Sequence, residues 1–145
     1  MKLIYSFLLV FLTGFLGSTS TMSQIDNWYK TIKKAPFNPP NWVFGPAWTI
    51  LYILMAISLY LVWQKNKFPF IFLVQLFLNF LWSYLFFGLH QPLWAFIDII
   101  LLWIFILLTI IRFSVLNKTA AYLLYPYIGW VTFASILNLF VVILN

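Results

Sequence analysis

The chain has 145 residues, of which 65% are hydrophobic and 7% are charged, with a formal net charge of +6. A water-soluble domain of this length cannot bury so many apolar side chains, so the composition predicts an integral membrane protein. The absence of cysteine excludes disulfides, thiolate metal sites and cysteine nucleophiles. The eight basic residues are scattered over short connections, which suits anionic lipid headgroups and argues against nucleic-acid binding.

Charged and turn-forming residues divide the chain into apolar runs, each long enough to supply the roughly 20 residues of a membrane-spanning helix. The predicted helices cover residues 3–24, 42–64, 69–88, 93–113 and 119–143, and turn residues at 88–92 split the longest run. The runs are continuously apolar and do not alternate, which favours helices over a β-barrel. The sequence therefore predicts an all-α membrane protein, a single domain over 1–145 built as a five-helix transmembrane bundle.

The first apolar run admits two interpretations. Lys2, the apolar segment 3–16 and the small residues 17–20 are also typical of a cleavable signal peptide. The apolar character continues past the small residues, which favours a spanning helix. In that helix Gly14 and Gly17 would let a neighbouring helix approach closely.

The connecting segments carry the information about orientation. With five spans, two groups of cations face opposite sides: Lys2, Lys65, Lys67, Arg112 and Lys118 against Lys30, Lys33 and Lys34. The positive-inside rule then places the N-terminus in the cytoplasm. Segment 25–41 is the only long connection, and its aromatic residues and prolines predict an ordered lid.

The stretch from Pro36 to Tyr52 holds four of the seven prolines and two tryptophans. Proline fixes φ and disfavours helix before it, so the approach up to Asn41 is predicted to be extended. Pro46 suits the first turn of the second helix. This arrangement would deliver Trp48 into the head of that helix at a defined angle.

Polar and aromatic residues form stripes on the later helices, because residues three or four apart share a helix face. The stripes are Trp48 and Tyr52; Gln75, Asn79, Trp82 and Ser83; Trp94 and Asp98; and Tyr127, Trp130, Ala134 and Asn138. One interpretation is that they join helices by hydrogen bonds. The other is that the deeper tryptophans line a ligand pocket.

Two isolated groups are also candidates for function. Asp98 lies about one turn into its helix, where it is either a structural carboxylate or a partner for a ligand cation or a proton. His90 lies in a turn and is either interfacial or a ligand of haem iron. No phosphate loop, nucleophile elbow or metal-binding histidine pair is present, so the sequence specifies no hydrolytic site and predicts no metal site.

Several motifs together resemble the translocator protein family, also called tryptophan-rich sensory proteins or peripheral-type benzodiazepine receptors. The most specific stretch is 34–52, KAPFNPPNWVFGPAWTILY. The segments 75–82, QLFLNFLW, and 123–127, LLYPY, followed by Trp130 and Asn138, are similar to the third and fifth helices of the family. Trp94 with Asp98 resembles the fourth helix, and the pair Gly14 and Gly17 resembles the first.

This resemblance implies a homodimeric five-helix protein that binds porphyrins, haem and lipophilic isoquinoline or benzodiazepine-type ligands between its helices, without a required cofactor. Carried onto this chain, the implied ligand-binding residues are Ser18, Phe44, Gly45, Trp48, Asn79, Trp82, Trp94, Trp130, Ala134 and Leu137. In some bacterial relatives the tryptophans at the positions of Trp48 and Trp130 are associated with light- and oxygen-dependent breakdown of protoporphyrin IX.

The resemblance leaves three functions open: a regulator or sensor of tetrapyrroles, a porphyrin-degrading enzyme, and a carrier of porphyrins or other lipophiles. Lys30, Lys33 and Lys34 are expected to receive the propionates of a porphyrin at the pocket mouth. The resemblance departs from the mammalian members after Asn138, where the expected tyrosine and basic residue of a sterol motif are missing. Sterol binding is therefore not expected, and the short tail suits a bacterial cell membrane.

Overall fold

The computed structural model describes residues 1–25 and 27–145, except for the side chain of residue 20, and these residues contain helices and no strand. Residue 26, within the predicted lid segment 25–41, lies outside the described residues. The helices are α1 Lys2–Gln24, α2 Trp28–Thr31, α3 Phe44–Trp63, α4 Phe70–Ser83, α5 Pro92–Leu116, α6 Lys118–Leu123 and α7 Tyr125–Leu144. A 3₁₀ turn, Asn41–Val43, leads into α3, and a π-helical turn, Tyr84–Gly88, extends α4.

Five helical segments in the described part of the chain are long and apolar enough to cross a membrane. They are Lys2–Gln24, Asn41–Trp63, Phe70–Gly88, Pro92–Leu116 and Lys118–Leu144. The predicted class, an all-α membrane protein with five spanning helices, is confirmed.

Local chemistry explains where several helices begin. Pro92 is the first residue of α5, where its missing N–H would have had no helical partner. The Oδ1 of Asn117 accepts a hydrogen bond from the backbone N–H of Ala120 at 3.1 Å, which caps α6. Pro126 then cannot donate a backbone hydrogen bond, and it separates α6 from α7 within the fifth span.

The centre of the bundle lies between α3, α4, α5 and the α6–α7 pair. Helix α1 lies at the edge and packs against α3, α4 and the π-helical turn. Large side chains such as Met55, Phe72 and Phe113 are completely buried at its centre. Leu8 and Leu12 on α1 are 60% exposed, as suits a helix face in contact with lipid.

Buried hydrogen bonds link three of the spans. The Tyr52 hydroxyl donates to Asn79 Oδ1 at 3.1 Å, and Asn79 Nδ2 donates to the Tyr127 hydroxyl at 2.8 Å. The Tyr127 hydroxyl in turn donates to Gln75 Oε1 at 2.7 Å. In hydrocarbon an unpaired polar group is costly, so this chain of bonds holds α3, α4 and α7 in one register.

The π-helical turn at the end of α4 changes which side chains point inward. The backbone N–H of Leu89 donates to the carbonyl of Tyr84 at 2.8 Å, a spacing of five residues. Within the turn the consecutive Phe86 and Phe87 are both buried, at 3% and 5% exposure. Such turns are frequent at functional sites, and the continuous apolar run 69–88 carries no sign of this one.

The two ends of the bundle are defined by contacts between distant residues. Lys2 Nζ donates to the carbonyl of Trp63 at 3.0 Å, so the start of α1 and the end of α3 lie together. At the opposite end, the backbone N–H and carbonyl of Lys33 in the lid form hydrogen bonds with the side-chain amide of Asn145, which follows the end of α7. The two predicted groups of cations therefore lie at opposite ends of the bundle, while the orientation in the membrane stays a prediction.

Candidate functional site

A cavity of about 540 Å³ lies between the C-terminal half of α1 and the N-terminal half of α3. We call it the outer cavity. Its wall includes Phe11, Phe15, Ser18, Met22, Trp42, Phe44, Gly45, Trp48, Thr49, Tyr52, Trp82 and Phe87. Ligand pockets for drug-sized molecules are usually about 300–1,000 Å³, so this space is large enough for a flat polycyclic ligand.

A second cavity of about 30 Å³ lies deeper, against α7. We call it the inner cavity. It is lined by Tyr29, Phe44, Trp48, Trp82, Phe86, Trp130, Ala134, Leu137, Asn138 and Val141. Because one water needs about 10–15 Å³ of such volume, this space holds at most a few waters and is closed to larger molecules unless side chains move.

Phe44, Trp48 and Trp82 line both cavities and therefore form the wall between them. The Trp82 indole N–H donates to Asn138 Oδ1 at 2.9 Å, and Asn138 Nδ2 donates to the Pro92 carbonyl at 2.9 Å. The Trp48 ring lies 6.5 Å from that of Trp82, but its N–H donates to none of the described residues. Within this wall Trp82 is held by a hydrogen bond and Trp48 by packing alone.

The residues implied by the resemblance divide into four groups. Ser18 and Gly45 line the outer cavity, whereas Trp130, Ala134 and Leu137 line the inner one; the three residues of the shared wall line both. Asn79 and Trp94 line neither.

Asn79 is 3% exposed and is engaged in the hydrogen bonds between spans, whereas Trp94 is 60% exposed on the outside of α5. The resemblance implied a ligand-binding role for Trp94, and helix periodicity, which placed it on one face with Asp98, cannot tell a face that looks inward from one that looks at lipid.

Other wall residues were not singled out in the sequence. Phe11, Phe15 and Met22 of α1 lie on one helical face with Ser18, at spacings of four and three, so periodicity could have found them. Phe86 and Phe87 belong to the stretch that resembles the third helix of the family, but no periodic pattern places both in the wall, because the π-helical turn that orients them is invisible in an apolar run.

Trp130 contributes an unusual group to the inner cavity. Its indole Nε1 is buried and has no hydrogen-bond partner among the described residues. Leaving a buried donor unpaired costs about 1–3 kcal/mol. The Trp130 ring also meets Trp48 edge-on at 6.4 Å between centroids. A ligand that presented an acceptor atom here would satisfy the indole and stack on aromatic faces at once.

The lid covers the inner cavity with a buried tyrosine. Tyr29 is 4% exposed and packs against Phe44, Phe86 and Phe87, and its hydroxyl donates to Asn38 Oδ1 at 2.7 Å. Burial raises the pKa of Tyr29 to about 12. The lid is thus anchored by a neutral phenol.

The lid lysines are placed differently from the expected propionate receptors. Lys34 Nζ donates to the carbonyls of Tyr29 and Ile32, at 2.7 and 3.0 Å, and burial lowers the pKa of this amine. Lys30 and Lys33 are exposed, and no lysine lines either cavity. Lys34 therefore serves the lid's own structure, and the mouth of the outer cavity carries no cation in the described part of the chain.

The buried phenol predicts how the lid responds to alkali. The pKa of Tyr29 rises from 10.0 in the unfolded chain to about 12 in the folded lid. Burial of the neutral phenol therefore stabilises the lid fully below pH 10, and this stabilisation is lost as the pH rises through 12. We expect the lid to loosen over this range in the wild type and not in Tyr29→Phe. Hydrogen exchange of the lid amides, measured as a function of pH in both proteins, would check this. The same alkaline loosening in both would contradict it.

Two isolated groups lie outside both cavities. The ring of His90 stacks on that of Trp28 at 4.4 Å, and its Nε2 lies 3.1 Å from Gln24 Oε1, as an interfacial residue that holds the lid. The carboxyl Oδ2 of Asp98 is buried without a hydrogen-bond partner among the described residues. No group of three or more metal-binding side chains occurs in the described residues either.

Comparison with known proteins agrees with this architecture. The model of the TspO/MBR family matches residues 6–144. Tryptophan-rich protein TspO of Archaeoglobus fulgidus is 47% identical, with 100% of this chain and 97% of the relative covered. Tryptophan-rich protein TspO of Chlorobaculum tepidum is 46% identical, over 91% and 88% of the two chains, and translocator protein of Ovis aries is 36% identical, over 86% and 79%. The chain is a membrane protein that belongs to the TspO/MBR family.

Proposed function

We propose that this protein binds a flat, largely apolar tetrapyrrole such as protoporphyrin IX between α1, α3 and α7, and acts as a regulator or sensor of tetrapyrrole levels. The observation that carries the proposal is the shared aromatic wall of Phe44, Trp48 and Trp82 beside the unpaired indole N–H of Trp130. A tetrapyrrole offers extended π faces to the wall, and its edge offers acceptor atoms to the indole.

The energetics favour such a ligand. A buried aromatic contact contributes about 0.5–1.5 kcal/mol beyond the effect of buried area, and several rings line the site. The hydrogen bond to Trp130 would remove the cost of an unpaired donor. Opening the wall between the cavities would join their volumes, so that one end of the ligand lies in the outer cavity and the other against α7.

Titration of the purified protein with protoporphyrin IX in the dark tests the proposal. We expect saturable quenching of tryptophan fluorescence, weakened in Trp130→Phe because the ring is kept while the N–H is lost. Trp103→Phe is the matched control, since the Trp103 N–H donates to Thr132 Oγ1 on the outer side of the bundle. Absence of saturable quenching in the wild type would contradict the proposal.

A second candidate function is photo-oxidative breakdown of the bound porphyrin, with dioxygen as the oxidant. The specific observation in its favour is that the rings of Trp48 and Trp130 meet edge-on at the wall of the inner cavity, where both would contact the same ligand. Repeating the titration under illumination distinguishes the two functions. Loss of the porphyrin Soret band that requires light, dioxygen and Trp130 indicates the enzyme, whereas quenching alone indicates a binding protein.

The membrane in which the protein lies, its orientation there and its oligomeric state are also proposed. We propose a bacterial cell membrane with the N-terminus in the cytoplasm, supported by the five-to-three division of cations between the two ends. Haem and lipophilic isoquinoline or benzodiazepine-type molecules are the other ligands proposed for the same site, and a homodimer is the proposed assembly.

A further inference from the structure

We infer that apolar ligands enter this protein sideways from the lipid bilayer, through the gap between α1 and α3, and not from the aqueous side under the lid. The inference rests on the proposed function in one respect, since it concerns the route to the same pocket. It differs from the expectation raised by the lid lysines, which placed the mouth at the membrane surface.

The outer cavity opens on the outside of two spanning segments. Phe15, Met22 and Trp42 line the outer cavity and are 65%, 75% and 74% exposed. All three belong to segments long and apolar enough to span the membrane. Phe15 lies well inside the span Lys2–Gln24, so at its level the outside of α1 faces lipid, whereas Met22 and Trp42 lie near the ends of their spans, close to the membrane surface. The mouth therefore extends from the membrane surface into the bilayer.

The two helices that border the gap are in close contact at Gly14. A Cβ added to Gly14 of α1 would lie 2.6 Å from Cε2 of Tyr52 on α3, so the helices touch at this point. From there towards the lid, the outer cavity occupies the space between them. The gap therefore has a closed end at Gly14 and a wide end near Met22 and Trp42.

The side chains in the wall of the outer cavity determine which molecules it accepts. The hydroxyls of Ser18, Thr21 and Thr49 donate to backbone carbonyls of their own helices, at 2.8, 3.4 and 2.8 Å. In the described part of the chain no charged side chain lines the outer cavity. Such a wall offers few polar contacts, so it favours molecules with a large uncharged, apolar surface that partitions into hydrocarbon.

The lid side of the bundle is closed against α7. Asn145 accepts from the backbone N–H of Lys33 at 3.1 Å and donates to its carbonyl at 2.8 Å, which ties the lid to α7. Phe37 of the lid also packs edge-on against Phe140 at 5.2 Å. Together with the buried Tyr29, these contacts leave the gap between α1 and α3 as the open side.

The absence of cysteine permits a direct test that needs no porphyrin. Ser18→Cys places a single thiol in the wall of the outer cavity. Labelling in liposomes is measured with a bilayer-soluble pyrene maleimide and with a charged thiosulfonate, which hydrocarbon excludes. When each rate is divided by that reagent's rate with a free thiol, we expect the maleimide to label the new thiol at least about tenfold faster than the thiosulfonate does. Ser58→Cys, at a position with 0% exposure, is the buried control and should react with neither reagent.

A second experiment blocks the gap between α1 and α3 with a larger side chain. A Cβ added to Gly45 or to Gly129 meets nothing within 4 Å, so a side chain can leave the backbone at both positions without a clash. Gly45 lines the outer cavity, whereas Gly129 lies on α7 outside both cavities. In the Ser18→Cys background we expect Gly45→Phe to slow the maleimide several-fold and Gly129→Phe to leave the rate unchanged.

Three results would overturn the lateral route: equal relative labelling by the charged reagent, labelling by neither reagent, or no effect of Gly45→Phe. None of these depends on porphyrin. Failure of protoporphyrin IX to bind would contradict the proposed function while leaving the labelling result, and hence the route, unaffected.

Discussion

Replacing Ala134 with phenylalanine is expected to weaken binding of protoporphyrin IX by about 10- to 100-fold. Ala134 is 7% exposed and lies in the wall of the inner cavity, whose volume is only about 30 Å³. A phenyl group there fills the space that one end of the ligand would need. Overpacking of this kind costs about 1–3 kcal/mol, and each 1.4 kcal/mol is about tenfold in affinity. The dissociation constant from tryptophan quenching in the dark measures the effect.

The control for Ala134→Phe is Ile136→Phe, two residues further along α7. Ile136 is 43% exposed, so the larger ring would face lipid and leave both cavities unchanged. Circular dichroism melting curves of both variants show whether the bundle is still folded. Equal affinity in wild type and a folded Ala134→Phe variant would mean that the ligand does not occupy the inner cavity.

Replacing Gly14 with alanine is expected to lower the free energy of unfolding by about 1–3 kcal/mol, because the new methyl group displaces the ring of Tyr52. That ring carries the hydroxyl that donates to Asn79 Oδ1, so the displacement also weakens the hydrogen bonds that join α3 and α4. The midpoint of unfolding in detergent mixtures gives the stability change.

Gly17→Ala is the matched variant, one turn away on the same helix. Its added Cβ would lie 3.5 Å from Ser83 Oγ, which is an ordinary contact. Alanine favours helix over glycine by up to about 1 kcal/mol, so this variant should be neutral or more stable than wild type. If Gly14→Ala and Gly17→Ala behave alike, the close approach of α1 to Tyr52 is not a source of stability.

The pair Gly14 and Gly17 shows what a local sequence pattern can predict about helix packing and what it cannot. Both glycines were expected to allow close helix packing, and both do lie near another span. Only at Gly14, however, is the approach too close for a methyl group. The difference depends on where the ring of Tyr52 lies, 38 residues further along the chain, and no spacing within α1 contains that information.

The polar stripes also show what helix periodicity can and cannot predict. Periodicity correctly grouped Gln75 with Asn79, and Tyr127 with Trp130, on single helix faces. It left open whether such a face binds a ligand or another helix. The structure uses Asn79 and Tyr127 to join spans, because their polar atoms are 2.8 Å apart, and leaves the Trp130 N–H unpaired beside a cavity.

The number of spans and the membrane class follow from the amino-acid sequence, because hydrocarbon requires about 20 apolar residues per helix and five runs satisfy this condition. The implied tryptophans follow from family motifs. The division of the site into an outer and an inner cavity, and the direction in which the outer one opens, depend on how α1 and the π-helical turn pack against α3. Lipid-facing and pocket-facing side chains are equally apolar, so only the tertiary contacts distinguish Trp94 outside the bundle from Trp82 within it.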